Sequence, residues 1–462
     1  MAIDFQRFFD ACDPSKTIDM GNAADRPYYV DFAPVRGGKI IEALGRTITR
    51  LSPDKPTCQL FTGHIGCGKS TELLRLKAEL EQQGFHVIYF ESTQDLDMAD
   101  VDVSDILLAI ARQVSESLEK IKINLQPRGF RALLKDAAEL LKSTEITAEA
   151  SVPALGKITA SNHGTAEFSL AAGIGKITAK TKESVRLRNR LRQHLEPQTN
   201  TILQSINEEL LQPAIETLKQ QDKQGLVVIV DNLDRVDPRP MPSGRLQPEY
   251  LFIDRGEQLR RLNCHVVYTL PLSLIFSNES ETLKHRLGGG VEPKVLPMVP
   301  VQQRDGSDYE PGIALLRKML LVRAFPEVDD NQRLDLITEL FDRSETLDRL
   351  CQVSGGHVRN LLGLLYRCLQ EQDPPWSRDL LEGVIRQARD HLPLAIDDDE
   401  WELLLQVVQQ QNVRGEKEYH TLLRNLWLFE YRDEQGCWFG INPVLAETAK
   451  FKSWQQRSNR RD

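Results

Sequence analysis

Apolar and polar positions alternate along this 462-residue chain in two distinct ways. The first is a short apolar run bounded by turn residues. Cys58-Gln59-Leu60-Phe61-Thr62 and His86-Val87-Ile88-Tyr89-Phe90 are of this kind, each the length of a strand buried on both faces. Between them, residues 70–83 place Leu73, Leu74 and Leu80 at helical spacing, and Gly84 stops the helix. Strand, turn, helix, strand is a βαβ unit, which calls for a parallel sheet with helices on its faces. Three further runs, 226–230, 265–270 and 294–296, are β-branched or aromatic and bring the predicted sheet to five strands.

The second pattern is amphipathic. Residues 103–121 are helical in period, and beyond Asp305 the period persists through 312–325, 332–342, 345–353, 357–372 and 378–392. Pro326, Gly355-Gly356 and Asp373-Pro374-Pro375 punctuate these helices. The last segment changes again: 399–411 and 418–427 read as helices. Leu428-Phe429-Glu430-Tyr431 and Cys437-Trp438-Phe439-Gly440 then flank Asp433-Glu434-Gln435-Gly436 as a hairpin. Helix, helix, hairpin is the order of a winged-helix domain. The stretch 143–181 fits neither pattern. It is rich in Ala, Thr, Ser and Gly and holds Gly-Lys-Ile-Thr-Ala twice, from Gly156 and from Gly175. It reads as a hairpin or loop insertion, or as a loop touching substrate in a ring-shaped assembly. The basic helix after it (Lys182, Arg186, Arg188, Arg190, Arg192) offers a solvated face or a contact to nucleic acid or another subunit. The expected divisions are 1–50, a linker and helix over the ligand site; 51–304, the sheet domain with its insertion; 305–392, a helical lid; and 393–462, the winged helix with a basic tail.

Composition narrows the function. Lys and Arg number 58 against 67 Asp and Glu, so the formal charge is −9. This weighs against a surface that coats nucleic acid, while leaving one basic patch open. No run reaches the ~18 apolar residues of a membrane helix. Residues 1–10 lack the pattern of a signal peptide, so a cytoplasmic, reducing location is expected, with no membrane partner. Seven scattered cysteines without a CxxC pair give neither a disulfide framework nor a zinc ribbon.

The chemistry begins at the turn after the first strand. Gly63-His64-Ile65-Gly66-Cys67-Gly68-Lys69-Ser70 fits G-x-x-x-x-G-K-[ST] in full, and Thr71 follows. Glycines let the backbone curl so that successive N–H groups face phosphate oxygens, and the helix adds its positive end. Lys69 is then the charge on the β- and γ-phosphates, and Ser70 a ligand for Mg²⁺. The run Leu226-Val227-Val228-Ile229-Val230-Asp231-Asn232-Leu233-Asp234-Arg235 puts Asp231 at the carboxyl end of a strand, where it holds Mg²⁺ through water. Asp234 is the candidate for orienting the attacking water; a helix cap or a salt bridge to Arg235 is the alternative.

Together with Ser354-Gly355-Gly356-His357-Val358-Arg359-Asn360-Leu361, these two elements resemble the AAA+ and STAND branch of P-loop ATPases. Origin-recognition-type and signalling ATPases share that layout, which covers roughly residues 25–370. The resemblance implies an α/β fold with a parallel five-stranded ASCE-type sheet, helices on both faces, a helical lid and the C-terminal winged helix. It implies ATP and Mg²⁺ as cofactors and hydrolysis to ADP and phosphate. Turnover is expected to be slow, because Asn232 stands where many hydrolytic relatives carry glutamate. Arg359 matches the lid arginine that senses the γ-phosphate, or is a surface arginine capping a helix pair. Thr269 sits where the first sensor is carried, or is an ordinary strand-end threonine. Arg286 sits where an arginine finger acts on a neighbour's nucleotide, with Arg317 and Arg323 as alternatives. Tyr28 or Tyr29 covers the adenine ring, or belongs to the core. A finger acting between chains implies a homo-oligomer with nucleotide at its interface. Two outputs follow. One is a nucleotide-dependent switch in signalling or antiphage defence, served by a separate effector or sensor protein. The other is a DNA-associated ATPase of origin-recognition or transposition-regulator type, with DNA on the winged helix, the basic segments or the tail (Lys450, Lys452, Arg457, Arg460, Arg461). Against the second, Asp397-Asp398-Asp399-Glu400 makes the approach to the winged helix acidic.

Overall fold

The computed structural model describes residues 3–149 and 169–458. Five parallel strands form its sheet in the order β2-β3-β4-β1-β5: β1 Cys58–Gly63, β2 His86–Glu91, β3 Leu226–Asp231, β4 His265–Leu270 and β5 Lys294–Leu296. Every residue of β3 and β4 is buried, which is why those strands read as unbroken apolar runs rather than as an alternation. The register sets Glu91 beside Asp231, Phe61 beside Thr269 and Gly63 beside Leu296. The carboxyl ends of β1, β3 and β4 therefore lie together at one edge of the sheet, where ligands bind in open α/β folds.

Helix α1 (Lys69–Gln82) leaves β1 through the glycine-rich turn and packs Leu73, Leu76 and Leu80 on one face of the sheet, with Ile41, Leu44 and Ile48. The opposite face carries α2 (Val103–Lys120), whose Ile106, Leu107, Ile110 and Val114 are buried, and behind it α3 (Arg128–Glu149), α4 (Leu170–Glu183) and α5 (Val185–Leu195). The expected hairpin or loop at 143–181 is thus overturned where the structure describes it. Ser169 caps α4 by accepting from the Ala172 N–H, and Ile174 and Ile177 are buried in the cluster of α2. The second Gly-Lys-Ile-Thr-Ala copy lies inside α4, where Gly175 lets Arg112 approach within 3.3 Å of a Cβ position. The first copy lies outside the described residues.

The basic stretch is also not an open face throughout. Arg188 is buried and pairs with Asp97 and Asp100, and Arg192 pairs with Asp100 and Asp105. Lys182 donates to the carbonyls of Thr93 and Gln94. A buried guanidinium needs hydrogen-bond acceptors or an opposite charge, and for Arg188 and Arg192 the acidic stretch before α2 supplies them.

After β5 the chain runs through α6 (Glu310–Ala324), α7 (Ser344–Val353), α8 (Val358–Glu371) and α9 (Arg378–His391). The helix expected over 332–342 is broken into short turns, Asp330–Arg333, Leu334–Leu336 and Ile337–Leu340. Phe8, Ile18, Tyr28 and Val30 from the amino-terminal stretch join this helical cluster rather than the sheet. The last elements are α10 (Asp398–Gln410), α11 (Lys417–Arg424), the antiparallel hairpin of β6 (Leu428–Asp433) and β7 (Gly436–Ile441), and α12 (Ala449–Ser458). They share a core around Trp401, Leu404 and Trp427. Phe429, Tyr431 and Trp438 of the hairpin instead enter the cluster on the α1 face of the sheet. Among the described residues no helix is long and apolar enough to cross a membrane.

Candidate nucleotide-binding site

The turn between β1 and α1 needs glycine at Gly66 and Gly68, whose φ angles are +88° and +103°. At Gly66 a Cβ would also lie 2.8 Å from the His357 ring and 2.9 Å from the Arg359 Cβ. Each carbonyl of this loop from 63 to 67 receives a donor. Lys69 Nζ donates to Gly63 O (2.9 Å) and His64 O (2.8 Å). His357 Nε2 bonds Ile65 O (2.7 Å), the Arg359 N–H bonds Gly66 O (3.2 Å), and Arg36 donates to Cys67 O (2.8 Å). The Cys67 side chain is buried against Leu296, which leaves no room there for a thiol nucleophile or metal ligand. Ser70 and Thr71 line the cavity in front of the loop.

Two carboxylates face this loop from the end of β3. Asp231 is almost wholly buried; it accepts from the Tyr89 hydroxyl (2.8 Å) and the Asn232 N–H (2.7 Å), and the Ser70 hydroxyl bonds it as well. Burial first, and the Asp234 charge second, push its carboxyl above the usual range. Asn232 occupies the left-handed region at φ +63°, which asparagine tolerates better than most residues. The chain thereby turns so that Asp234 Oδ2 meets Lys69 Nζ at 3.0 Å, while buried Oδ1 has no partner. Of the alternatives for Asp234, the salt bridge to Arg235 is therefore not formed; the ion pair goes to Lys69. Burial opposes the Lys69 charge, yet its carboxylate neighbours hold its pKa up.

Ser70 and Asp231 suit Mg²⁺, a hard cation that takes oxygen ligands and keeps waters. Among the described residues no group of three or more His, Cys, Asp or Glu side chains surrounds a metal position. The ion would accordingly depend on nucleotide phosphates for much of its coordination.

The cavity, about 80 Å³, is walled by the loop, by residues 14–18, by Asn232, Asp234 and Arg235, and by Val358, Arg359 and Leu362 of α8. Arg359 lines the cavity from α8. Arg235 stands across from it, and among the described residues neither guanidinium has a carboxylate within ion-pairing distance. Burial and the charge of Arg235 both lower the Arg359 pKa, in that order. Arg323 lines the cavity as well, so three arginines without a carboxylate partner among the described residues, together with Lys69, are an arrangement for a polyanion.

Three expectations fall elsewhere. Tyr29 points its hydroxyl at Glu72 (3.3 Å) and receives Arg75 (2.8 Å), so it braces α1 rather than covering a base; residues 14–18 occupy that side of the cavity. Tyr28 is in the core, bonded by Arg7. Thr269 accepts from the Leu233 N–H (3.0 Å) and is fully buried, so it shapes the turn after β3 and does not line the cavity. Arg286 lies half-exposed near Ile253 O (3.3 Å) and Asp254 (4.0 Å), away from the cavity of its own chain. Arg323 lines the cavity of its own chain, held on Ala11 O and Met319 O, and Arg317 pairs with Glu310 and Asp348, so neither reaches outward as a finger. Sequence reasoning missed Arg36, Tyr89, Arg235 and residues 14–18. It quoted His357 within the lid motif without assigning it a task.

This loop, with Asp231 beside it at the carboxyl edge of a parallel sheet, defines a P-loop NTPase. Residues 38–243 match the KAP family P-loop domain. Among solved structures, the chain is similar to the ORC2 protein of Aeropyrum pernix in ADPNP and ADP complexes (12% identity, 100% of each chain covered, TM-score 0.43). It is also similar to a Walker-type ATPase of Pyrococcus abyssi (10% identity, 94% of this chain and 98% of that one, TM-score 0.43). The ORC1 protein of Aeropyrum pernix, in complex with DNA, follows at 13% identity, 90% and 93% coverage and TM-score 0.34. No curated protein matches the chain.

Proposed function

We propose that the chain is a slow ATPase that works as a nucleotide-dependent conformational or oligomerisation switch of the AAA+/STAND kind. The observation that carries this reading is the attachment of the lid to the phosphate loop. The Arg359 N–H and the His357 ring hold Gly66 O and Ile65 O, so a change in loop geometry reaches the first turn of α8 directly. A cavity of about 80 Å³ is also well below the ~300 Å³ floor of ordinary ligand pockets. Nucleotide therefore enters only as the lid and loop separate.

In this reading the phosphates take the loop N–H groups, and Lys69 swings from Asp234 to the β- and γ-phosphates. That swing frees Oδ2 of Asp234, beside the already unpartnered Oδ1, to orient water against the γ-phosphorus. Arg359 and Arg235 balance the phosphate charge from the lid and core walls. Mg²⁺, on Ser70 and through water on Asp231, supplies further charge neutralisation. The Asn232 position leaves Asp234 as the acid nearest the reacting centre, which suits a slow timer. A finger such as Arg286 requires a second copy of the chain, and an output domain requires a separate effector or sensor protein.

The DNA-associated reading has less support. Helix α11, the presumed recognition helix, buries Tyr419, Leu422 and Leu423, and its His420 is largely buried. Arg424 is exposed and also borders a small cavity beside Gly63, His64 and Ile65, which leaves it as the main cationic side chain of α11 besides Lys417.

The test is the mass of the protein in solution with and without ATP, and with and without duplex DNA, for wild type and Lys69→Ala. A defined ATP-dependent rise in mass, absent in Lys69→Ala and indifferent to DNA, is the expected result. Unchanged ATP affinity in Lys69→Ala would overturn the site assignment. Asp234→Asn is expected to bind ATP within about threefold of wild type while turnover falls at least about tenfold; unchanged turnover would move the water-orienting role elsewhere.

A further inference from the structure

His64 is the first variable residue of the phosphate loop, yet its side chain faces the C-terminal hairpin, 366 positions away. The ring is buried, and its Nε2 accepts the Glu430 N–H at 2.9 Å. In the neutral imidazole the proton is therefore on Nδ1, which is buried without a hydrogen-bond partner, so the Glu430 N–H is the ring's one hydrogen bond among the described residues. Next to Glu430, the Phe429 ring stands edge-on to His64 (6.0 Å, 74°) and stacks flat on His357 (5.8 Å, 14°). Three rings from the loop, the hairpin and the lid thus form one column. Tyr431 extends it, its hydroxyl donating to Gly355 O at 2.8 Å. At Gly355 a Cβ would lie 2.5 Å from the Phe429 ring, so hairpin and lid turn fit without slack.

The two imidazoles grip adjacent peptides of the loop. His64 fixes its own position through the hairpin, and His357 fixes the Ile65 carbonyl. The N–H groups that must converge on phosphate belong to those same peptides. Displacing the hairpin moves the His64 ring, rotates its peptide and misaligns the donors. By linkage, whatever nucleotide does to those peptides alters hairpin docking by the same free energy. The rings are uncharged at neutral pH, since burial lowers the His64 pKa to about 3 and that of His357 to about 4. The column is thus held by packing and neutral hydrogen bonds and does not weaken with salt.

We propose that His64 is a positioning residue that couples docking of the C-terminal hairpin to the geometry of the phosphate loop. ATP affinity and attachment of the hairpin then rise and fall together. This inference rests on the nucleotide reading of the loop and names the part of the chain that reads its state.

The experiment compares wild type, His64→Phe and His64→Gln. Phenylalanine keeps the ring and its packing but removes the Nε2 acceptor; glutamine retains an acceptor. Calorimetric ATP affinity and amide hydrogen exchange across β6, with and without Mg-ATP, are the two readouts. In wild type, ATP is expected to change exchange in β6 at least about threefold. In His64→Phe the affinity falls at least tenfold and the β6 response to ATP disappears, while His64→Gln restores both to within about threefold. Wild-type affinity in a folded His64→Phe protein overturns the proposal, as does β6 exchange indifferent to ATP in wild type. Should His64→Phe fail to fold, Phe429→Leu serves instead: it leaves the loop sequence intact and is expected to weaken ATP at least about threefold, unchanged affinity counting against coupling. Failure of the underlying reading looks different, since wild type would then bind no ATP at all.

Discussion

Glu430 offers the sharpest test of how tightly the hairpin is seated on the elements around the phosphate loop. Its backbone is fully used, the N–H by His64 and the carbonyl by the Met298 N–H (3.0 Å). Its side chain is 1% exposed; Oε1 receives only the weak Cys437 thiol donor at 3.4 Å, and Oε2 has no partner. Burial therefore pushes the carboxyl from 4.5 up to about 7, against smaller opposing contributions from Cys437, Arg432 and Arg36. A carboxyl whose folded pKa lies above its unfolded one binds more protons when folded. Its stabilising effect is complete below pH 4.5 and is lost as pH rises through 7. A gap of roughly two and a half units, at ~1.4 kcal/mol each, makes about 3 kcal/mol of stability that the protein lacks at pH 8 relative to pH 5. Glu430→Gln removes this titration whatever it does to absolute stability. The assay is urea unfolding from pH 5 to pH 8, followed by the fluorescence of Trp438, which stacks on Tyr431 in the same hairpin at 4.6 Å. The difference in stability between Glu430→Gln and wild type should grow by about 3 kcal/mol in favour of the variant as pH rises. His64 and His357 titrate in the opposite sense and cancel in that difference. Parallel curves for the two proteins across the range would refute the argument and mean that Glu430 reaches water.

Two glycines give predictions of opposite sign. Gly356 has φ +73°, and a Cβ there would lie 1.6 Å from the Val299 carbonyl oxygen. Gly356→Ala should therefore destabilise by about 3 kcal/mol or more, seen as a lowered urea midpoint; a loss under about 1 kcal/mol would mean the lid turn yields freely. Gly363, inside α8, has nothing within 4 Å of its Cβ position. Gly363→Ala should raise stability by about 1 kcal/mol in the same assay, and a loss would show that the groove beside α8 is occupied.

Legibility from sequence divided along physical lines. Strands β1 to β5, helices α1 and α2, the helices from α6 to α9 and the closing hairpin were all readable. Each is encoded in periods of two or 3.6 residues and in turn residues adjacent in the chain. The phosphate loop was readable for the same reason, because its glycines, Lys69 and Ser70 act within one turn. Helices α3 and α4 were hidden, α4 by small residues such as Gly173 and Gly175 that resemble a loop; α5 was readable as a basic helix, but the burial of Arg188 and the pairing of Arg192 were not, because they depend on the acids of 97–105 placed against them.

What the sequence determined by itself is the local chemistry: a parallel sheet, a phosphate-cradling loop, an acid at the end of β3 and an arginine at the start of α8. Tertiary structure alone decided which partners those groups have. It turned Tyr29 onto Glu72 and Arg75 and gave the side wall of the cavity to residues 14–18. It paired Lys69 with Asp234 instead of leaving Arg235 to do so, and it set Arg235 opposite Arg359. It also built one column from His64, Phe429 and His357. The reason is separation along the chain. Local patterns fix backbone geometry, whereas the neutralisation of a charge or the stacking of a ring depends on residues hundreds of positions away, and only packing brings those together.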